Sequence, residues 1–276
     1  ADDALAPAWN PAGLAALFQD QAAFSYDGGI GGIYRTYVSF AQKLHPSTRT
    51  VVAAGANYVN YGKMEETDDT GVITGSSFWV QQLAVSVSAA KKIFTRFSAG
   101  ATFKGIIEQF QDEKPFAFAL DAGAIYAPWD FLRLGASVMN AGTNLKINGV
   151  ERGLPFGIAL GTAVRHRTMT VSVDAVKTSG EKPLYRAGAE FPAVDSITMR
   201  LGYESTEGRG RFAGVSAGIG ITNQAMEPLD HGPEIEAREI ETPMQTVMTQ
   251  HWFVDYAMRY EGLFILSHKL SLTYGF

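Results

Sequence analysis

The sequence predicts an all-β fold: a transmembrane antiparallel β-barrel of about fourteen strands with a short N-terminal plug segment. Three observations predict it. The dominant hydrophobic period along the chain is two, the runs it defines are long, and aromatic residues gather at their ends. The C-terminal run is the clearest case. From Phe264 to Phe276 one side reads Phe264, Leu266, His268, Leu270, Leu272, Tyr274 and Phe276, and the other Ile265, Ser267, Lys269, Ser271, Thr273 and Gly275. A side of mostly apolar residues opposite a small or polar side is the pattern of a strand. At ~3.3 Å per residue this one spans about 40 Å, long for a soluble domain, where strands of ~5–6 residues are the mode. A soluble sandwich or propeller also uses many alternating strands. The lengths, the Gly/Ser/Thr-rich second face and the aromatic ends favour a barrel in lipid.

Residues 1–19 form the first element, and it is not a strand. In Asn10-Pro11 the residue before proline is driven out of the helical region, and proline at a first helical position loses no hydrogen bond. Asn10 is therefore expected to cap a helical run over Ala12–Phe18. A plain helix start reads the same way, and only the barrel context makes it a plug. Strands are then expected near 20–27, 32–44, 50–62, 76–89, 92–107, 115–127, 130–140, 155–166, 168–178, 183–193, 195–204, 211–222, 250–260 and 263–276, which makes residues 20–276 the barrel. Aromatic pairs at Tyr58 and Tyr61, Phe78 and Trp79, Tyr126 and Trp129, Trp252 and Tyr260, and Tyr274 and Phe276 would be interfacial girdles.

The connections set an orientation. His45–Arg49, Ala89–Lys91, Pro128–Asp130, Arg165–Thr168 and Ala193–Asp195 are short, and they alternate with generally longer segments such as Lys63–Gly75, Glu108–Lys114 and Ala141–Leu154. Outer-membrane barrels have short periplasmic turns and longer outside loops, so both chain ends are expected in the periplasm. One connection breaks the rule. Residues 223–249 should be a tight periplasmic turn, yet they hold six of the chain's 28 acidic residues with Pro228, Pro233 and Pro243. This acidic insertion reads as a solvated loop or as a docking segment carried by Glu234, Glu236, Glu239 and Glu241. A metal site at His231 is disfavoured, because no ligand spacing recurs.

The face opposite the apolar one gathers charge. Arg35, Arg96, Lys104, Arg133, Arg165, Arg186, Arg200, Arg259 and Lys269 stand against Asp121, Asp174, Glu190, Glu204 and Asp255. Arg or Lys facing lipid at midplane costs roughly 2–4 kcal/mol, so their consistent side argues that they line the lumen. The readings left open are a salt-bridged, plugged interior, a polar pore, and a hydrophobic path. The last needs an apolar groove that the alternation does not display.

Composition excludes other classes. The chain is 46% hydrophobic and 12% aromatic, too apolar for disorder. With 23 basic against 28 acidic residues it has no nucleic-acid footprint. No apolar run of ~18 residues marks a membrane helix. Cysteine is absent, which removes disulfides and thiolate chemistry. His45, His166, His231, His251 and His268 are scattered, and no nucleophile elbow appears. The Gly28-Gly29-Ile30-Gly31-Gly32 run has no following helix to hold a phosphate, so it reads as a loop. No enzyme, cofactor or metal is expected. The start on Ala1-Asp2-Asp3 without Met suggests processing.

Both chain ends carry a resemblance. Trp9-Asn10-Pro11-Ala12-Gly13-Leu14-Ala15 resembles the Asn-Pro-Ala hatch motif of FadL-like outer-membrane barrels. With the preceding Asp2-Asp3 it is similar to the PorV/PorQ branch of that family. Val254-Asp255-Tyr256-Ala257 and Ser267-His268-Lys269-Leu270-Ser271-Leu272-Thr273-Tyr274-Gly275-Phe276 are similar to that branch's last hairpin. The resemblance implies a fourteen-stranded bacterial outer-membrane barrel with a plug at Trp9, Asn10, Pro11, Ala12 and Gly13. The stripe Leu270, Leu272, Tyr274 and Phe276 then looks like the signal read by the barrel-assembly machinery. It further implies a non-enzymatic membrane partner of a type IX-like protein secretion or surface-assembly system, held in outer-membrane lipid. The alternative is a FadL-type channel for hydrophobic small molecules. The sequence departs from both patterns in its modest outer loops and in the 223–249 segment. The glycines that precede Asp2 in the branch are also missing, so the start of the plug is expected to be incomplete.

Overall fold

The computed structural model describes residues 3–45, 48–68, 70–111, 113–147, 149–194, 196–205, 213–223, 250–262 and 265–276. Two short 3-10 turns, Ala6–Ala8 and Pro11–Ala16, precede the strands. The strands are β1 (Gln21–Gly28), β2 (Tyr34–His45), β3 (Thr50–Thr67), β4 (Ile73–Phe94), β5 (Phe97–Phe110), β6 (Phe116–Trp129), β7 (Leu132–Gly142), β8 (Leu145–Ile147), β9 (Val150–Arg152), β10 (Gly157–His166), β11 (Met169–Thr178), β12 (Leu184–Val194), β13 (Ile197–Glu204), β14 (Val215–Thr222), β15 (His251–Gly262) and β16 (Ile265–Gly275). β1–β7 and β10–β16 form one closed antiparallel barrel of 14 strands, and β8–β9 is a separate hairpin. Closure comes from β1 against β16, in register from Gln21↔Gly275 to Gly28↔His268. A closed sheet leaves no edge strand, the condition for a sheet to sit in lipid.

The period-two pattern becomes the two faces of the wall. On β16, Leu266, Leu270 and Leu272 point outward and are exposed, while Ser267 and Ser271 are buried on the lumen side. Around the barrel the outer face carries Phe24, Val38, Val85, Val87, Leu160, Val173 and Leu201, all exposed. The lumen face carries Ser25, Ser39, Ser86, Ser88, Thr102 and Ser137, all buried. The apolar belt thus faces lipid. His268 lies on this outer face and bonds the Tyr256 hydroxyl at 2.7 Å, which satisfies both polar groups in an apolar setting. Tyr26, Tyr34 and Tyr58 make a row of rings toward the outer end, with centroids 6.0 Å apart.

The fourteen barrel strands match the expected ones within a few residues, with informative exceptions. β3 and β4 are 18 and 22 residues long, so the expected loop 63–75 shrinks to 68–72. β2 begins opposite Asn60 and β5 ends opposite Val80. Beyond those points Lys63–Thr67 and Ile73–Trp79 pair only with each other, as a ribbon standing past the barrel rim. Outside lipid a ribbon has no apolar face to keep, so it has no alternation to read. A bulge at Tyr61–Gly62 begins it, with Gly62 at φ 89° and its N–H bonded to Asn60 Oδ1 at 2.7 Å. Tyr61, two residues past Val59, faces the cavity, and Phe78 packs edge-on against the cavity residue Phe110, so neither ring is a girdle residue. The loop expected at 141–154 contains the β8–β9 hairpin. The helical run expected over Ala12–Phe18 is a 3-10 turn that stops at Ala16, since Leu17 is extended at ψ 130°.

Candidate functional site: a plugged lumen

Asn10 and Pro11 seat the plug. Asn10 is extended and its Oδ1 accepts from Ala12 N at 3.0 Å, the expected cap. Its Nδ2 donates to Ala124 O at 3.2 Å and Ala136 O at 3.1 Å, so one amide straddles β6 and β7. Ser137 Oγ donates to Trp9 O at 3.0 Å. The wall makes room with glycine. A Cβ on Gly100 would sit 2.6 Å from the Pro11 carbonyl carbon, and one on Gly123 would overlap Asn10 Oδ1. Below this notch, Ala4, Ala6, Leu14 and Leu17 pack on Ala23, Ala41, Val51, Ala53 and Ala90 of β1–β4 as a small apolar core. The Trp9 ring reaches across to the opposite wall, with Lys269 Nζ 5.1 Å and the Arg186 guanidinium 5.9 Å from its centroid. Trp9, Asn10, Pro11, Ala12 and Gly13 are therefore brought together at one level of the lumen.

Above the plug lies a cavity of about 930 Å³. Leu5, Pro7 and Trp9 make its floor, β1–β6 its wall, and Leu145, Arg152, Leu154 and Pro155 of the β7–β10 connection its roof. Its outer half mixes apolar and aromatic residues, Val59, Tyr61, Val80, Ile106 and Phe110, with the polar Arg35, Gln82 and Glu108. The one-strand alternation did not display this groove, because its apolar residues lie on the polar side of three different strands, β3, β4 and β5. Its inner half is polar. Lys104 Nζ meets Asp121 at 2.8 Å, and Asp121, 2% exposed, also accepts from Asn140 N at 2.7 Å. Asn140 Nδ2 in turn holds the roof through Pro155 O at 3.0 Å.

The other half of the wall is an ion-pair network. Arg186 bonds Glu204 at 2.7 Å, Glu204 bonds Arg259 at 2.9 Å, and Arg259 bonds Glu261, which accepts from Ser267 Oγ at 2.8 Å. A second group joins Glu190, Arg200 and Asp255. Asp174 lies over Gly161, where a Cβ would overlap its carboxylate. Arg133 shares the lumen-facing side of β7 with Ser137. Three side chains depart from expectation. Arg96 is not in the lumen: it stands exposed in the turn between β4 and β5 and donates to Pro128 O at 2.6 Å. Glu108 and Glu261 are lumen residues that the alternation missed, 7% and 5% exposed. The expected strands stopped short of both, at 107 and 260. Leu270, Leu272, Tyr274 and Phe276 share the outer face, with Phe276 stacked on Phe40 at 6.0 Å. Glu234, Glu236, Glu239, Glu241 and His231 lie outside the described residues. Among the described residues no cluster of His, Asp and Glu has metal-binding geometry.

No protein-family model and no curated protein matches this sequence. Solved structures do. The toluene transporter TbuX of Ralstonia pickettii superposes with a TM-score of 0.62 over 98% of this chain and 92% of its own, at 11% identity. The toluene transporter TodX of Pseudomonas putida gives 0.61 over 98% and 92%, at 11% identity. A FadL homologue of Pseudomonas aeruginosa gives 0.59 over 99% and 94%, at 12% identity. Closed wall, lipid-facing belt and these neighbours agree: the chain has the fold of the FadL-type barrels and belongs to the bacterial outer membrane.

Proposed function

We propose that the protein is an outer-membrane channel for small, largely hydrophobic molecules, closed on its periplasmic side by the N-terminal plug. The observation that carries this reading is the cavity above the plug, which has a volume usual for small-molecule sites and an apolar, aromatic stretch at Val59, Tyr61, Val80, Ile106 and Phe110. The likeness to solved transporters supports it through the fold. The test is whole-cell uptake, because the outer leaflet is the barrier such molecules need help to pass. Cells carrying the protein should take up a labelled alkanol faster than cells with the empty vector, and equal rates would overturn the reading.

A second reading is the protein partner of a secretion or surface-assembly system that the terminal motifs imply. The β3–β4 ribbon favours it, since it rises past its neighbours with two unpaired edges. It predicts a protein crosslinked to Lys63 in intact cells, lost when the ribbon beyond it, residues 66–74, is shortened to a tight turn that keeps Lys63.

A further inference from the structure

The cavity is not lined for a bare hydrocarbon. Glu108 on β5 is more than nine-tenths buried, lines the cavity, and has no hydrogen-bond or ion-pair partner for its carboxylate among the described residues. Asn57 on β3 also lines the cavity, and its Oδ1 is buried without a partner. Both orphaned groups are acceptors. The Asn57 oxygen is sealed from solvent, while the Glu108 carboxylate opens onto the cavity. The register explains the isolation of Glu108. It shares one lumen row with Gln82, Val59 and Arg35, so the nearest cation in that row is three strands away. At ~4.8 Å per strand that is about 14 Å between backbones. Lys104, two residues inward on β5, is committed to Asp121.

Aromatic residues share this stretch of wall with the carboxylate. Tyr61 lines the same cavity as Glu108, together with Arg35 and Arg152, and Phe110 lies two residues along β5 with Phe78 edge-on to it at 5.2 Å. A carboxylate beside aromatic faces suits an alkylammonium group, which takes a charge-assisted hydrogen bond from one and cation–π attraction from the others. An anionic head would meet Glu108 as a like charge.

We propose that this cavity takes amphiphiles with a positively charged amine, the ammonium held at Glu108 beneath the outer rim and the apolar body along Val80 and Ile106. The proposal rests on the channel reading. Its test uses the protein in nanodiscs of zwitterionic phospholipid at neutral pH, with empty discs as baseline, and calorimetric titration of octylamine, octanol and octanoate. Octylamine should bind about tenfold more tightly than octanol, and octanoate most weakly. Glu108→Gln should erase the preference of octylamine over octanol. Asn57→Ala, which keeps the carboxylate, should weaken octylamine by a smaller factor. Equal binding of the three probes, or a preference that survives Glu108→Gln, overturns the amine assignment and leaves the channel standing. Binding of none of the three overturns both.

Discussion

Asn10 carries more of this structure than any other residue of the plug. Its side-chain oxygen caps the 3-10 turn, and its amide nitrogen ties that turn to β6 and β7. Alanine there removes three hydrogen bonds, each worth about 1 kcal/mol net. Gly123→Ala attacks the same contact from the wall, since its Cβ would overlap Asn10 Oδ1. Both substitutions are expected to unseat the plug without opening the barrel. The readout is single-channel conductance in planar bilayers, higher in both variants than in the parent, with Trp9 fluorescence shifted to the red. Asp121→Ala tests a different bond. It leaves Lys104 buried without its anion and should lower stability by about 3 kcal/mol, seen as a lower urea midpoint for the heat-modifiable gel band. Of these residues, Asn10 and Pro11 were legible in sequence because capping is a local matter. Gly100 and Gly123 were not, because a strand glycine means nothing until something presses on it.

At the level of elements, the β3–β4 ribbon has its own chemistry. Asp68 closes its tip by accepting from Thr70 N at 2.9 Å, Thr70 Oγ at 2.6 Å and Val72 N at 2.9 Å. These bonds, the Thr70 hydroxyl first, hold its carboxyl below the ordinary carboxylate range. A depressed value means that the tip gains order above the ordinary range and loses it as pH falls through the lowered one. The protection of the Thr70 and Val72 amides, taken relative to their intrinsic exchange rates, should therefore hold at pH 7 and fall only in acid, and Asp68→Asn should abolish that pH step. The last strand makes a second element-scale prediction. If the outward stripe Leu270, Leu272, Tyr274 and Phe276 is the assembly signal, deleting Phe276 should lower the amount reaching the outer membrane while leaving refolding into detergent unchanged. Strand positions were legible wherever one face met lipid. The ribbon, the β8–β9 roof and the last residues of β5 and β15 were not, since no apolar face marks them.

Across the whole molecule the lumen divides in two. β12–β16 hold the larger ion-pair network, and β1–β6 hold the cavity with the Lys104–Asp121 pair. The belt outside is uniform, so charge placement should obey the wall. Leu272→Arg puts a cation in lipid and should cost roughly 2–4 kcal/mol, while Ser271→Arg, one residue away, points inward toward the plugged lumen. Reversible unfolding in liposomes of the two variants separates them, and equal losses would mean the faces are reversed.

Alternation by itself determined the barrel: each strand's two faces meet different solvents, and that difference is written into every second residue. It also determined that charges lie inside, with Arg96 the exception that a turn removed. Only the tertiary structure decided what the interior holds. Val59, Ile106 and Leu145 are separated by tens of residues, and of these only Ile106 shares a period with Glu108, two residues along β5. They become one site because the register of β2 through β5 sets them in adjacent rows and the β7–β10 connection folds over them. Wall chemistry is local and repeats, so a sequence displays it. Cavity chemistry is a product of closure, and closure is a property of all fourteen strands at once.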